Sequence, residues 1–390
     1  MKTKSFILCT GVLTLIAQAS VAQFADTPDF VLDGLIGPFN FAVGDLNNDG
    51  KPDLVVTSWV RLPGAKEAYD DSKSCVNVYF QKEGRFRASP DKSLSVKNPI
   101  GLAVGDFDKD RRNDLVVGVG RGLHVFLGSE NLTRDHGCVN INGGGSTVRA
   151  CKMNKEGLCD FLSGPVWMKW HGADQFKHGY VSGPAANDNG DTLTTDFNHD
   201  GETDILTKSR DNKTLRILYG PMLAMMVRPK DLWQFTTLTA PLPLSSMAVG
   251  DLNGDGRTDI IVSAAFHTEG GRRKTFIYNQ NSPLNFTDDA HPSVTIEGIC
   301  GELAVADVNG DGLDDLVIAE AATTKTHVFL QKKSQPFATS ARDADRTLMI
   351  GNNHHVILAD LNDDGLPDLI HTDGRSTVRV SLNNTSRTPR

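Results

Sequence analysis

Six copies of one nine-residue pattern, Asp-x-Asn/Asp-x-Asp-Gly-x-x-Asp, recur along the 390-residue chain, each between two short apolar runs. The copies begin at Asp45, Asp106, Asp196, Asp251, Asp307 and Asp360. Oxygen-donor side chains occupy alternate positions, and Gly stands at position 6, where the chain must turn sharply; the second copy has Arg111 there instead. That donor set suits one hard cation, because Ca²⁺ accepts about six to eight oxygens in flexible geometry. The same opening residues begin an EF-hand loop, which also needs a bidentate Glu at position 12 and a helix on each side. Position 12 is here Val56, Val117, Thr207, Val262, Ile318 or His371, and the last carboxylate falls at position 9. The flanks are β-branched runs such as Phe-Ala-Val-Gly before a loop and Leu-Val-Val after it. Each loop is therefore predicted to join two strands of a hairpin.

Successive loops start 61, 90, 55, 56 and 53 residues apart, so one interval is too long for a single repeat. Inside it, Lys152-Met-Asn154-Lys-Glu156-Gly157-Leu-Cys159-Asp160 keeps the pattern at positions 3, 6 and 9. Lys at position 1 argues against calcium in this copy. A third strand-like run, such as Val-Asn-Val-Tyr-Phe at 76–80 or His-Val-Phe-Leu at 327–330, follows six of the seven loops. Periods of about 40 to 60 residues with room for four strands predict an all-β, seven-bladed β-propeller of four-stranded blades with calcium-binding hairpin loops. The last unit stops after its third strand, whereas Asp29-Phe-Val-Leu-Asp33 has strand character and no unit of its own. The N-terminal strand is thus expected to complete the last blade and close the ring, which an open solenoid would not require.

These units resemble FG-GAP repeats, also called VCBS repeats, of the kind that form the seven-bladed head of integrin alpha subunits. The resemblance covers nearly the whole mature chain. It implies calcium ligation by side chains at positions 1, 3, 5 and 9 and by the backbone carbonyl at position 7. Carried over, the first loop would use Asp45, Asn47, Asp49, Lys51 and Asp53, and the second Asp106, Asp108, Asp110, Arg112 and Asp114. The next two would use Asp196, Asn198, Asp200, Glu202 and Asp204, then Asp251, Asn253, Asp255, Arg257 and Asp259. The last two would use Asp307, Asn309, Asp311, Leu313 and Asp315, then Asp360, Asn362, Asp364, Leu366 and Asp368. About six Ca²⁺ sites follow, with Arg111 straining a left-handed turn if that geometry is kept. The resemblance further implies adhesion or lectin-like binding, so the expected partner of this monomer is a glycan or an extracellular protein.

Lys2 and Lys4 precede a largely apolar stretch from Phe6 to Ala17, and Ser20-Val21-Ala22 offers the small residues a signal peptidase reads. Residues 1–22 are expected to be a signal peptide and 23–390 the propeller, released to the periplasm or the cell exterior. No run reaches the ~20 apolar residues of a membrane helix. Outside cells calcium is abundant enough, at ~10⁻⁴ to 10⁻³ M, to fill weak multi-carboxylate sites. The formal net charge is −8, but the loop carboxylates account for the whole acidic excess, so the rest of the chain is net positive. Its basic residues are scattered, which argues against nucleic acid. Once Cys9 leaves with the signal, five cysteines remain; Cys151 and Cys159 flank the degenerate loop, as a disulfide or as free thiols. Asn-x-Ser/Thr sequons stand at Asn131, Asn212, Asn285, Asn383 and Asn384, and matter only in a eukaryote.

Segments joining second to third strands lie on the face opposite the Asp-rich loops, and two of them are long: Trp59–Lys73 and Phe266–Lys274. Long loops on a rigid scaffold tend to carry function. Trp59, Arg61, Tyr69, His267, Arg272 and Arg273 are candidate ligand-binding residues, since sugars stack on aromatics and their carboxylates or sulfates take bidentate Arg. A variable, solvated insertion is the alternative. Trp167 and Trp170 are three apart, which on a strand suits packing between blades. Of the pair His354–His355, one ring points to the central channel or both sit exposed at a strand edge. No Gly-x-Ser-x-Gly elbow, His-Glu-x-x-His helix or phosphate loop is present. An enzyme remains the second reading, as a propeller-type lyase of acidic polysaccharide using Tyr69 or His267 beside Arg272 and Arg273.

Overall fold

The computed structural model describes residues 24–385, apart from 59–73, 120–121, 129–131, 133, 141–147, 152–159, 164–165, 171–175, 181–191, 210, 221–234, 266–272, 287–290, 322, 334, 352–354 and 374. The described residues form an all-β propeller of four-stranded antiparallel blades. Strand β1 (Phe30–Leu32) comes first in the chain and belongs to the last sheet. The next sheets are β2 (Pro38–Gly44), β3 (Asp53–Ser58), β4 (Cys75–Tyr79) and β5 (Lys92–Ser95), then β6 (Pro99–Gly105), β7 (Asp114–Val119), β8 (Gly122–Leu127) and β9 (Arg134–Asn140). They are followed by β10 (Val148–Cys151), β11 (Asp160–Ser163), β12 (Val166–Trp170) and β13 (Phe176–Tyr180), and by β14 (Thr192–Thr195), β15 (Asp204–Lys208), β16 (Thr214–Leu218) and β17 (Phe235–Thr239). The fifth combines β18 (Leu244–Gly250), β19 (Asp259–Ala264) and β20 (Lys274–Tyr278) with β23 (Val294–Glu297), a two-stranded ribbon of β21 (Gln280–Ser282) and β22 (Asn285–Phe286) intervening. The sixth is β24 (Gly301–Ala306), β25 (Asp315–Glu320), β26 (Thr326–Phe329) and β27 (Arg346–Leu348). The last is β28 (His355–Ala359), β29 (Asp368–Thr372) and β30 (Val378–Ser381), with β1 as its fourth strand. Six of these sheets have described interiors; in the β10–β13 sheet the backbone is described with few of its side chains.

The N-terminal strand does complete the last sheet. Phe30, Val31 and Leu32 pair with Val380, Arg379 and Val378, and Leu382 N donates to Asp29 Oδ2 at 2.8 Å. The first strands meet their neighbours in chain order, β2 against β6 and β6 against β10, and β28 comes back against β2.

Second strands lie at the heart of each sheet with a neighbouring sheet on both faces. Every residue of β3, β15, β19, β25 and β29 is consequently buried, which explains their continuous apolar runs. The core is not one mass but a series of layers between adjacent sheets. One layer joins Leu206 and Ile217 to Ile260 and Phe276, and another joins Leu54 and Tyr79 to Ile370 and Val380. Position 12 of every loop falls inside a second strand, and no helix flanks a loop, so none of the six is an EF-hand. Among the described residues, no helix is long and apolar enough to cross a membrane.

The first strands come so close at their loop ends that a side chain on Gly44 would lie 2.5 Å from Val104 Cγ1 and 3.2 Å from its Cβ. Gly44→Ala is expected to lower stability by about 1–3 kcal/mol, since the branched Val104 cannot swing aside. Urea denaturation measures it, and an unchanged midpoint would contradict this account of blade spacing.

Candidate metal centres

The six Asp-rich loops share one backbone path. In the first, Asp45 accepts the Asp49 N–H on Oδ1 (3.1 Å) and the Gly50 N–H on Oδ2 (2.8 Å). Asn47 Oδ1 also accepts the Asp49 N–H at 2.9 Å, and Asp49 Oδ1 accepts the Lys51 N–H at 3.0 Å. The position-1 carboxylate takes the position-6 N–H in every other loop, at 2.7–3.0 Å. These bonds wrap the loop around positions 1, 3 and 5 and demand left-handed backbone at positions 4 and 6. Asn48 (φ 59°) and Gly50 (φ 83°) show it in the first loop, and Lys109 and Arg111 (both φ 72°) show it in the second. The strain expected of Arg111 is therefore present.

Position 9 does something different. Asp53, Asp114, Asp204, Asp259, Asp315 and Asp368 are 0% exposed at the start of their second strands. One oxygen of Asp53 accepts the Leu46 N–H at 2.9 Å, and the other accepts the Gln81 N–H at 3.0 Å. The same two bonds recur in the other loops, to the position-2 N–H and to the N–H of Gly128, Gly220, Gln280, Gln331 or Asn383, just past the third strand. Each position-9 carboxylate thus ties loop, second strand and third strand together.

The residues fit a hard cation. Carboxylate oxygens of Asp106, Asp108 and Asp114 lie within 4.8 Å of one another, a spacing that one ion with Ca–O distances of about 2.3–2.6 Å spans. In four of the other loops the position-3 Asn donates its amide to the position-5 carboxylate, as Asn47 Nδ2 does to Asp49 Oδ2 at 3.2 Å. In the fifth blade Arg257 pairs with Asp255 instead.

Side chains past the third strands carry the contact to the neighbouring blade, which the sequence pattern did not reveal. Gln81 Nε2 donates to Leu361 O at 2.9 Å, Gln280 Nε2 to Phe197 O at 2.9 Å, and Asn383 Nδ2 to Val308 O at 2.8 Å. Each acceptor is position 2 of the preceding blade's loop. The Gln331 amide, oriented to satisfy both its atoms, donates to Asp251 O and Asp314 O at 2.8 Å. Asn113 Nδ2 reaches Asp45 O at 2.9 Å from position 8 of the second loop. A recurrent Gln or Asn two residues past the third strand was the available signal.

Of the candidate ligand-binding residues, Trp59, Arg61, Tyr69, His267 and Arg272 lie outside the described residues, as do Cys159 and the degenerate loop at 152–159. Arg273 needs correction. Its Nη1 lies 2.5 Å from Glu320 Oε1 of the next blade, and Glu320 Oε2 also meets Thr323 Oγ1 (3.1 Å) and His327 Nε2 (3.4 Å). Arg273 is a strut between blades rather than an open anion receptor. Asn383 is buried and spends its amide on Val308 and Pro367 carbonyls, which leaves that sequon inaccessible.

Fold and loops together define a β-propeller whose blades open on an aspartate-rich hairpin. The FG-GAP repeat model matches residues 38–58, and the FG-GAP-like repeat model matches 251–318 and 307–371. This chain carries FG-GAP and FG-GAP-like repeats over those residues. Its sequence matches no curated protein significantly. Among solved structures it is similar to an Agrocybe aegerita lectin that recognises non-reducing terminal N-acetylglucosamine, with 14% identity over 90% of this chain and 87% of that one and a TM-score of 0.49. It is also similar to the V. cholerae biofilm matrix protein Bap1, at 9% identity over 88% and 76% with a TM-score of 0.46. A chain of the mitotic checkpoint complex gives 12% identity over 98% of both chains and a TM-score of 0.53. That last likeness shows the fold alone.

Burial pushes the position-9 carboxyls up against the opposing pull of their N–H donors, and the neighbouring loop carboxylates add to the rise. Asp53, Asp204 and Asp368 reach about 6, Asp114 and Asp259 about 7, and Asp315 about 8. A carboxyl raised on folding holds its proton more tightly folded than unfolded. In metal-free protein these six groups therefore stabilise the fold below about pH 4, and the contribution is lost as pH rises through their folded values. The melting temperature in chelator is expected to fall between about pH 4 and pH 7, and calcium, which binds the carboxylate form, should oppose that fall. A chelated melting temperature that rises over the same range would refute this balance. Separately, Arg111→Gly removes a left-handed non-glycine residue and should stabilise the protein by on the order of 1 kcal/mol in a denaturant titration, whereas Arg111→Ala should not.

Proposed function

We propose that this chain is an exported, calcium-stabilised FG-GAP propeller, closed as a ring of seven blades, that binds a glycan. The carrying observation is the repetition of one loop geometry six times, with carboxylates at positions 1 and 5 and an Asn or Asp oxygen at position 3. A side chain at positions 1 and 5 on every loop, joined by Asn or Asp at position 3, makes a donor set that a divalent cation satisfies and that repels itself without one. The position-7 carbonyl and any unshared lone pair of position 9 complete the proposed set. Seven four-stranded sheets, with first strands in contact around the ring, support the blade count. Residues 1–22 are proposed to leave as a signal peptide, so that the mature protein begins at Gln23 and acts outside the cytoplasm as a monomer.

Binding is favoured over catalysis because the structure supplies a rigid platform, and because Arg273, one of the four residues of the lyase reading, is already neutralised by Glu320. Equilibrium with calcium after exhaustive chelation is expected to restore about six ions per chain and to raise the melting temperature by on the order of 10 °C at saturating metal. An unchanged melting temperature in EDTA would sink the calcium role. The calcium-loaded protein should then retain an intact polysaccharide from a panel of neutral and acidic polymers. Shortened or unsaturated products would establish a lyase or hydrolase, and retention only of a protein partner would replace the glycan.

A further inference from the structure

The first strands of six sheets line a cavity of about 550 Å³ at the centre of the ring. Most of its wall is aliphatic, as first strands packed side by side require: Met247, Leu303 and Val356 are examples. Six polar residues from five different blades break that wall, namely Asn40, Arg149, Ser245, Ser246, Glu302 and His355. Three of them, Ser246, Glu302 and His355, stand five residues ahead of their loops, where Asn40 also stands, so they form one polar tier. Arg149 stands three residues ahead of the degenerate loop, at a level where Ala42, Ala103, Ala248 and Ala304 occupy four of the other blades.

The tier is organised. Ser246 Oγ donates to Glu302 Oε2 at 3.3 Å and accepts the Leu303 N–H at 3.3 Å. His355 Nδ1 lies 3.6 Å from the same carboxylate oxygen, and its ring stacks on Phe41 with centroids 5.6 Å apart. Asn40 is held by the Ile100 carbonyl at 3.0 Å. The Glu302 and His355 side chains keep 34% and 29% of their surface exposed, so the tier is both fixed and accessible.

We infer that this axial cavity is the seat of a single pyranose unit, a neutral polyhydroxylated ligand. One cation and one carboxylate on the same small cavity disfavour any singly charged ligand, because each repels or leaves unmatched what the other attracts. Hydroxyl groups donate and accept, so they can bond a guanidinium and a carboxylate together. The aliphatic wall between these groups matches the C–H faces of a sugar ring, the usual make-up of a small-molecule site. A zwitterion would meet the two charges and leave the aliphatic wall without a match. This inference rests on the glycan-binding reading above and narrows it to one place.

Isothermal titration of the calcium-loaded protein with methyl glucopyranoside, galactopyranoside and mannopyranoside, and with alanine as a zwitterionic probe, tests it. At least one pyranoside should bind, and Glu302→Gln and Arg149→Gln should each weaken it about 10-fold or more. In the unmodified protein the His355 imidazole NMR signals should shift on adding that pyranoside, a readout that does not depend on a variant folding. Pyranoside binding with unmoved His355 signals and unchanged affinity in both variants would overturn the cavity while leaving glycan binding standing. Preference for alanine would overturn the ligand class. Failure of every pyranoside and every polysaccharide to bind would overturn both readings.

Discussion

A buried carboxylate holds together each of the six blades that carry an Asp-rich loop. At position 9 of every Asp-rich loop an aspartate, without solvent contact, accepts one N–H from inside the loop and another from just beyond the third strand. Neither donor has a ladder partner in the sheet, because both lie where strands end. A buried N–H left unmatched costs about 1–3 kcal/mol, so one side chain resolves two such debts and sets where the loop stands over its blade. The residue it positions past the third strand then reaches sideways: Gln81, Gln280, Gln331 and Asn383 grip the loop of the preceding blade. Local turn chemistry and ring assembly thus share a single group.

The two faces of the propeller inherit different chemistry from this arrangement. On the loop face, carboxylates at positions 1 and 5 are held by bonds to their own backbone, and the position-3 amides or Arg257 hold part of that charge. The crowding that a cation relieves is built in by the same hydrogen bonds that give the loop its shape. On the opposite face the inner strands begin, and the constraints there are looser. A neighbour approaches closely at Gly44, at the loop end, whereas at the other end there is room for Asn40, Glu302 and His355.

Much of the architecture was legible in the residues. Loop spacing, the missing position-12 Glu and the β-branched flanks pointed to hairpins of a propeller, and the orphan strand at Asp29–Asp33 pointed to closure with the C-terminus. The left-handed turn at Arg111 was legible too, because only one residue type normally fills it. The site was legible unevenly. Positions 1, 3, 5 and 9 announce themselves by their oxygens, but nothing in the pattern reveals the two backbone partners of position 9, which lie 7 and 28 residues away in the first loop. Arg273 looked like an anion receptor, since nothing nearby in the chain shows that Glu320 of the next blade stands against it.

What the sequence by itself determined is the repeating unit: where each strand starts, where each loop turns and which side chains the loop presents, all decided by contacts within a few residues. What only the tertiary structure decided is everything that depends on the neighbouring blade. The Gln and Asn latches, the Arg273–Glu320 pair and the meeting of Arg149, Glu302 and His355 on the axis join residues of different repeats. Strand periodicity constrains which face a side chain takes, but carries no record of which repeat stands opposite. That is settled only when the ring closes.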